Sequence, residues 1–259
     1  MIAVGRKNTD FFQNNGIEYI QVDICNEDDF KKFPTTDVYA VVNLTGILPA
    51  YLKKYDSFIY VETNIKGSLR ILEYARKVGV DRVLYTQTWA EMAGYWGKGE
   101  IFSPQLPRKL KYTGDHAFYA ITKCMIVDTM EYYKQEYGIK NFVFRLPNVY
   151  LYHPDTYYYV ECKKKLVAYR YMINQVENRK DIEMWGNPDA FEDILYVKDL
   201  CQKLLKFQIK QHLIVLSWIY LMQKKKKNWD TSRNIHILKY LEDYKKEKQL
   251  KRFDVLWKE

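Results

Sequence analysis

The fold turns on Asp37-Val38-Tyr39-Ala40-Val41-Val42-Asn43-Leu44 and the Thr45-Gly46 step that ends it. The run is apolar and β-branched, with no polar residue alternating through it. Such a run, halted by a small polar residue and a glycine, reads as a strand covered on both faces. Outward from it, the pattern switches to helix. Tyr60 to Val78 carries apolar residues at Ile65, Leu69, Leu72 and Ala75, and Gly79 stops it. Arg82-Val83-Leu84-Tyr85-Thr86 is the next strand, Ala117 to Tyr137 the next helix, closed by Gly138, and Asn141-Phe142-Val143-Phe144-Arg145-Leu146 the strand after that. In the other direction, Gly16 to Ile24 reads as a strand ending in an acidic turn, and Glu27 to Phe33 as a short helix.

Strands separated by helices predict an α/β fold, a doubly wound parallel sheet with helices on both faces. Sheets of this kind bind ligands beyond the carboxyl ends of their strands. Asp23, Thr45-Gly46, Thr88 and Pro147-Asn148 all fall there.

After residue 150 the alternation weakens. We expect 1–150 to form the dinucleotide-binding part of the fold and 151–259 a small, reduced C-terminal lobe. Tyr157-Tyr158-Tyr159 and a lysine-rich helix running to Arg179 suit a substrate lobe. Asp193 to Leu200 reads as a short strand entering a helix capped by Asp199. From Gln208 to Asn234 an apolar run meets four lysines without a glycine, and no element is assigned. Leu238 to Glu259 returns to a charged helix.

A length of 259 residues, 47% hydrophobic and 16% aromatic, suits a globular protein and excludes a disordered one. The net charge of +9 comes largely from lysines after residue 160, including Lys163-Lys164-Lys165 and Lys224 to Lys227. Solvated faces account for such lysines, and so would a pocket for phosphorylated ligands. No nucleic-acid module accompanies the charge. Cys25, Cys124, Cys162 and Cys201 are scattered and the four histidines dispersed. That argues against a disulfide framework or a metal site and for a reducing, cytoplasmic setting. Leu213 to Met222 is too short to span a bilayer.

The chemistry centres on Tyr119 and Lys123. Four apart on a helix, they share a face. A lysine ammonium beside a phenol stabilises the phenolate, so the tyrosine is expected to exchange protons well below its reference pKa of about 10. Spacing alone is not decisive, because Tyr159/Lys163, Tyr220/Lys224 and Tyr244/Lys248 repeat it.

The order of several motifs resembles the extended short-chain dehydrogenase/reductase superfamily, in its NAD-dependent epimerase/dehydratase group acting on nucleotide sugars. Asn43-Leu44-Thr45-Gly46 is similar to the family's segment lying along the cofactor, and Asn64-Ile65-Lys66-Gly67-Ser68 to its N-x-x-G-T element. Thr88 falls on the catalytic Ser/Thr and Tyr119 to Lys123 on the Y-x-x-x-K pair. Arg145-Leu146-Pro147-Asn148-Val149-Tyr150 resembles R-x-x-N-V-Y-G, and Asp193 to Asp199 a D-x-x-Y-V-x-D element. The resemblance covers roughly 1–205.

It implies Tyr119 as general acid/base, Lys123 as its partner on the nicotinamide ribose, Thr88 on a substrate hydroxyl, and Asn64 holding the main chain. Leu44, Thr45, Gly46 and Pro147 would lie along NAD or NADP, with Asp23 and Ile24 at the adenine. Arg6 would favour a 2′-phosphate, and Asn148 would touch the nucleotide sugar. The resemblance also implies a homodimer through the helix bearing Tyr119 and its neighbour.

The sequence departs from the family pattern too. No G-x-x-G-x-x-G turn follows the first strand, Ile2-Ala3-Val4-Gly5-Arg6, which matches the family's second strand. Gly94, Gly97 and Gly99 follow the wrong strand, and Leu151 stands where a glycine is expected. The expectation is a chain lacking the family's first βα unit, as a fragment or a degraded copy. Thr88 is followed by Trp89-Ala90-Glu91 rather than the Asp-Glu pair of the dehydratases, which tilts the reading to an epimerase or reductase. The competing reading is a non-catalytic binding protein.

Overall fold

The computed structural model describes residues 1–100, 102–103, 105–150, 157–183, 194–209 and 232–251. Leu151, Asp193, the apolar run Leu213–Met222, the Tyr220/Lys224 pair and Lys224–Lys227 lie outside the described residues.

The chain opens with β1 (Ile2–Gly5), a single-turn helix α1 (Phe11–Asn14) and β2 (Glu18–Gln21), followed by β3 (Val41–Asn43). A helical stretch then runs through α2 (Ser57–Tyr60), a π-helical turn (Val61–Gly67) and α3 (Ser68–Lys77). Next come β4 (Arg82–Thr88), α4 (His116–Tyr137), β5 (Lys140–Leu146) and β6 (Asn148–Tyr150). The chain continues with β7 (Tyr157–Val160), β8 (Lys163–Leu166), α5 (Ala168–Glu177), β9 (Ile194–Tyr196), α6 (Val197–Ile209) and α7 (Ser232–Leu250).

β3, β4 and β5 form a parallel sheet in that order, with Asn43 opposite Tyr85 and Tyr85 opposite Val143. The strand period of two sends Val83 and Tyr85 to one face and Leu84 to the other. On the first face they pack with Leu72 and Ala75 of α3 and with Ile126, Met130 and Tyr133 of α4. On the second, Leu84 and Phe144 meet Leu204 of α6. Helices thus cover both faces, as the doubly wound reading requires. β4 is buried over five consecutive residues, Val83 to Gln87. Each large apolar side chain so buried stabilises by about 1.5–3 kcal/mol. Gly138 ends α4 at φ +72°, a left-handed conformation that suits glycine.

Several elements differ from expectation. The run Asp37–Leu44 yields only the three residues of β3. Val41 faces the α3/α4 core, but Val42 and Leu44 are 39% and 57% exposed. Among the described residues β3 bonds to β4 alone, and β1 pairs only with β2, in a separate parallel sheet. An edge strand with one neighbour leaves its outer residues to water. Lys163–Lys165 lie not in a helix but in β8, paired antiparallel to β7 across Glu161 and Cys162, both at positive φ (48° and 62°). Asp199 is inside the first turn of α6 rather than its cap, because the helix begins at Val197. The segment Glu27–Phe33 contributes a 3-10 turn, Asp28–Lys32.

The loop after β2 is tied to α3. The Tyr74 hydroxyl donates to the Pro34 carbonyl at 2.6 Å, and Arg70 Nη1 to that of Ile24 at 3.3 Å. A Cβ on Gly67 would stand 2.5 Å from Ile24 Cδ1, so glycine there permits the contact.

Candidate active site

α4 turns one face to the sheet, burying Tyr119, Ala120, Thr122, Lys123, Cys124 and Ile126. The site grows from hydrogen bonds around that face. Thr122 Oγ1 donates to the Tyr119 carbonyl at 2.9 Å and accepts from Asn64 Nδ2 at 3.1 Å. Asn64 Oδ1 in turn accepts from the Ile47 backbone N–H at 2.8 Å. Asn64 is fully buried in the π-helical turn, a kind of irregularity common at functional sites. It fastens the loop after β3 to the helix carrying Tyr119. Asn43 fixes the same loop from the strand side. Its Oδ1 accepts from Thr45 N (3.0 Å) and Oγ1 (2.6 Å), and its amide donates to Ser68 Oγ at 3.2 Å.

Tyr119, Lys123, Thr88, Asn64, Thr45 and Gly46 are therefore brought together. Lys123 Nζ lies 3.4 Å from the Thr45 carbonyl and 3.9 Å from the centre of the Tyr85 ring. A Cβ on Gly46 would meet both Lys123 Nζ and Asn64 Oδ1 at 3.5 Å, an ordinary contact distance, so the loop passes close to both side chains at this point. Thr88 ends β4, and its Oγ1 accepts from Ala90 N at 3.2 Å, capping the turn that follows.

The electrostatics run against the expectation of an acidified phenol. Burial pushes the Tyr119 phenol up to about 12, with the Thr88 hydroxyl pulling the other way. Burial pushes Lys123 down to about 7. Each group loses the hydration of its charged form, and the amine is directed to a carbonyl and a ring face. Desolvation outweighs the attraction that spacing alone suggested.

Beneath Thr88 lies a polar layer that motif reading missed. Gln87 Oε1 accepts from Thr88 N at 2.8 Å, and its Nε2 donates to the buried Glu91 at 3.1 Å. Glu91 also pairs with Arg145 of β5. Glu91 is thus engaged below the strand end. Tyr60 and His116 flank the phenol, with ring centroids 6.3 and 6.5 Å from Tyr119.

The other expected residues stand apart from this cluster. Asp23 Oδ1 accepts from Cys25 N at 2.9 Å, and the Ile24 side chain packs against Gly67, so both shape their own turn. Arg6, Leu44 and Asn148 are exposed and Pro147 is half-buried. The competing Tyr/Lys spacings separate cleanly. In the β7–β8 hairpin Tyr159 stands opposite Lys164 and Lys163 opposite Val160, and Lys248 forms an ion pair with Glu177 at 2.9 Å.

Fold and site define a class: a doubly wound α/β protein whose proton-bearing side chains gather at the carboxyl ends of parallel strands. Residues 1–211 match the profile of the NAD dependent epimerase/dehydratase family, and the chain belongs to that family. It is 25% identical over 194 residues to a UDP-glucuronate 4-epimerase of Thermodesulfobacterium geofontis, covering 73% of this chain and 54% of that protein. It is 21% identical to a putative UDP-glucose 4-epimerase of Methanocaldococcus jannaschii, covering 84% and 64%. Among solved structures, the UDP-glucose 4-epimerase of Thermus thermophilus, complexed with NAD, aligns with a TM-score of 0.62 at 21% identity. That alignment covers 82% of this chain and 67% of the other. The chain thus spans about half to two-thirds of the length of these relatives. Among the described residues no helix is long and apolar enough to cross a membrane.

Proposed function

We propose that the protein is an NAD(P)-dependent oxidoreductase of the nucleotide-sugar epimerase type. The observation that carries this reading is the convergence of Tyr119, Lys123 and Thr88 on one edge with Gly46 and Asn64. The residues at this edge fit the nicotinamide end of a dinucleotide, because a buried amine and a buried phenol share the helix face beside the loop at Thr45 and Gly46. The pyrophosphate end is not matched in the same way. Among the described residues no glycine-rich turn follows β1, and α1 is four residues long.

When bound, the nicotinamide supplies a hydride acceptor and donor and a positive charge near the phenol. Tyr119 takes the sugar hydroxyl proton as its carbon is oxidised and returns it on reduction. Thr88 bonds that hydroxyl and fixes its distance from the phenol. Lys123, an amine that titrates near neutral pH, holds the ribose and supports the phenolate. Asn148 and the lysines of β8 would meet the nucleotide diphosphate, and Arg6 and Asp23 the adenosine end. The exposed Leu69 of α3 and Met125 and Tyr132 of α4 offer the face for a homodimer.

A second reading is favoured by the Tyr119 phenol, which burial holds up at about 12: a family member that binds nucleotide sugars without turnover. Titration with NAD(H) and NADP(H), followed by quenching of tryptophan fluorescence, separates the two. Trp89 directly follows Thr88 and packs against Trp96 with ring centroids 5.2 Å apart, which places a reporter at the site. Micromolar binding supports the enzyme. No binding of either cofactor at millimolar concentration overturns it.

A further inference from the structure

We propose that Tyr85 is a positioning residue for Lys123, its ring face seating the lysine ammonium at the site. The inference rests on the reading of Lys123 above and adds a residue that no motif singles out. Tyr85 lies mid-strand in β4, 1% exposed, held in register between Asn43 and Val143. The strand alternation aims it at α3 and α4. Lys123, 2% exposed, enters from α4 and places Nζ 3.9 Å from the ring centre.

The groups around that amine come from three elements: the Tyr85 ring from β4, the Thr45 carbonyl and bare Gly46 from the loop after β3, and, on the other side of Gly46, the neutral Asn64 amide from the π-helical turn. No carboxylate among the described residues shifts its titration. A buried ammonium without a counter-ion needs another source of negative potential, or it stays neutral. The face of an aromatic ring provides one, most effectively where water is excluded. The carbonyl at 3.4 Å is a long contact and cannot hold the amine alone. The ring therefore does two things: it fixes where Nζ rests, and it keeps the protonated form within reach near neutral pH. It also accounts for an aromatic residue, rather than a β-branched one, at the centre of the most buried strand.

The test reads Lys123 directly and needs neither cofactor nor turnover, so its failure is distinct from failure of the enzyme reading. Lysine labelled with carbon-13 at Cε is titrated by NMR, with Lys123→Arg used to assign the resonance. Tyr85→Phe keeps the face and should leave the midpoint within about 0.2 pH unit. Tyr85→Leu removes the face and should lower the midpoint by about half a unit or more, a threefold or larger loss of proton affinity. Because leucine could disturb the core, replacement of Tyr85 by phenylalanines of increasing fluorine content forms the second arm. These keep the ring's shape while draining its face of negative potential. The midpoint should fall stepwise with fluorine content. A flat series, or a fall in Tyr85→Phe equal to that in Tyr85→Leu, overturns the proposal.

Discussion

The β4–α4 edge and the β1–β2 pair start from the same unit, a parallel strand with a helix behind it, and end very differently. β4 is seven residues long, hydrogen-bonded on both sides and backed by a 22-residue helix. β1 has four residues and one neighbour, α1 is a single turn, and Val4 is 45% exposed. At the first edge, polar side chains are buried and bonded to one another. At the second, Arg6 is exposed and Asp23 is occupied with its own turn. Proton transfer needs groups fixed to a fraction of an ångström and shielded from water, which only the first edge provides. Ligand binding tolerates an adjustable loop. On the proposed reading, the difference sets the proton-transfer chemistry in residues 43–146 and leaves the proposed adenosine end with the thinner scaffold.

The largest expected effect breaks the comparison outright if it fails. Tyr119→Phe removes the proton-bearing oxygen and little else, so turnover should fall by about 10²–10⁴-fold. Cofactor affinity should stay within about threefold, since the phenyl ring and its contacts with Tyr60 remain. Steady-state rates beside fluorescence titration decide this. Turnover that survives the substitution removes the site from this edge.

Lys123 tests the cost of keeping a charge-bearing group dry. Its folded pKa, about 7, lies below its ordinary value of 10.5. Between those pH values the unfolded chain carries a proton that the folded chain lacks, so stability rises with pH across that window. Below pH 7 both states are protonated and the whole penalty, on the order of a few kcal/mol, applies. Lys123→Met should therefore stabilise the fold most at pH 6, less at pH 8 and hardly at all above about pH 10, while abolishing turnover. Urea midpoints at the three pH values give the slope. A gain independent of pH shows that the amine is not desolvated.

Much of this contrast was legible in the sequence, though unevenly. Helix spans and their glycine stops at Gly79 and Gly138 were visible, because periodicity and left-handed backbone are local properties. The length of β3 was not, since exposure of Val42 and Leu44 depends on which strands flank it. The β8 lysines looked like a solvated helix, and the Glu161-Cys162 turn carries no Asn-Gly or Asp-Gly signal. Tyr119, Lys123, Thr88 and Asn64 were singled out by motif order as candidates, yet the direction of the Tyr119 shift was missed. Spacing reports proximity along a helix, and burial is set by the elements packed over it. Gln87, Glu91 and Arg145 were invisible as a unit for the same reason, because the Glu91–Arg145 contact joins residues 54 apart.

Asn64 measures how rigid the chemical edge is. Asn64→Ala strands the Ile47 N–H and removes the Thr122 partner inside a fully buried site. An unsatisfied buried donor costs about 1–3 kcal/mol, and the vacated volume adds to it. A total loss of about 2–4 kcal/mol is expected in chemical denaturation. A loss below about 1 kcal/mol would mean that the loop after β3 is held by Asn43 alone.

Gly67 joins the two regions, and the smallest effect is the most discriminating. Alanine there would drive a Cβ to 2.5 Å from Ile24 Cδ1 and 2.8 Å from Cγ1, so the loop after β2 must move off the π-helical turn. Overpacking of this kind costs about 1–3 kcal/mol, here near the lower end because Ile24 is half-exposed and can rotate away. Asp23 travels with Ile24, as their turn is a single unit closed by the bond from Cys25 N. Asn64 sits in the same π-helical turn but faces α4 rather than the loop. If the two ends are separable, Gly67→Ala should weaken cofactor affinity a few-fold and leave turnover at saturating cofactor unchanged. If turnover falls with affinity, the π-helical turn transmits the displacement to Asn64, and the adenosine end and the proton-transfer edge form one mechanical unit.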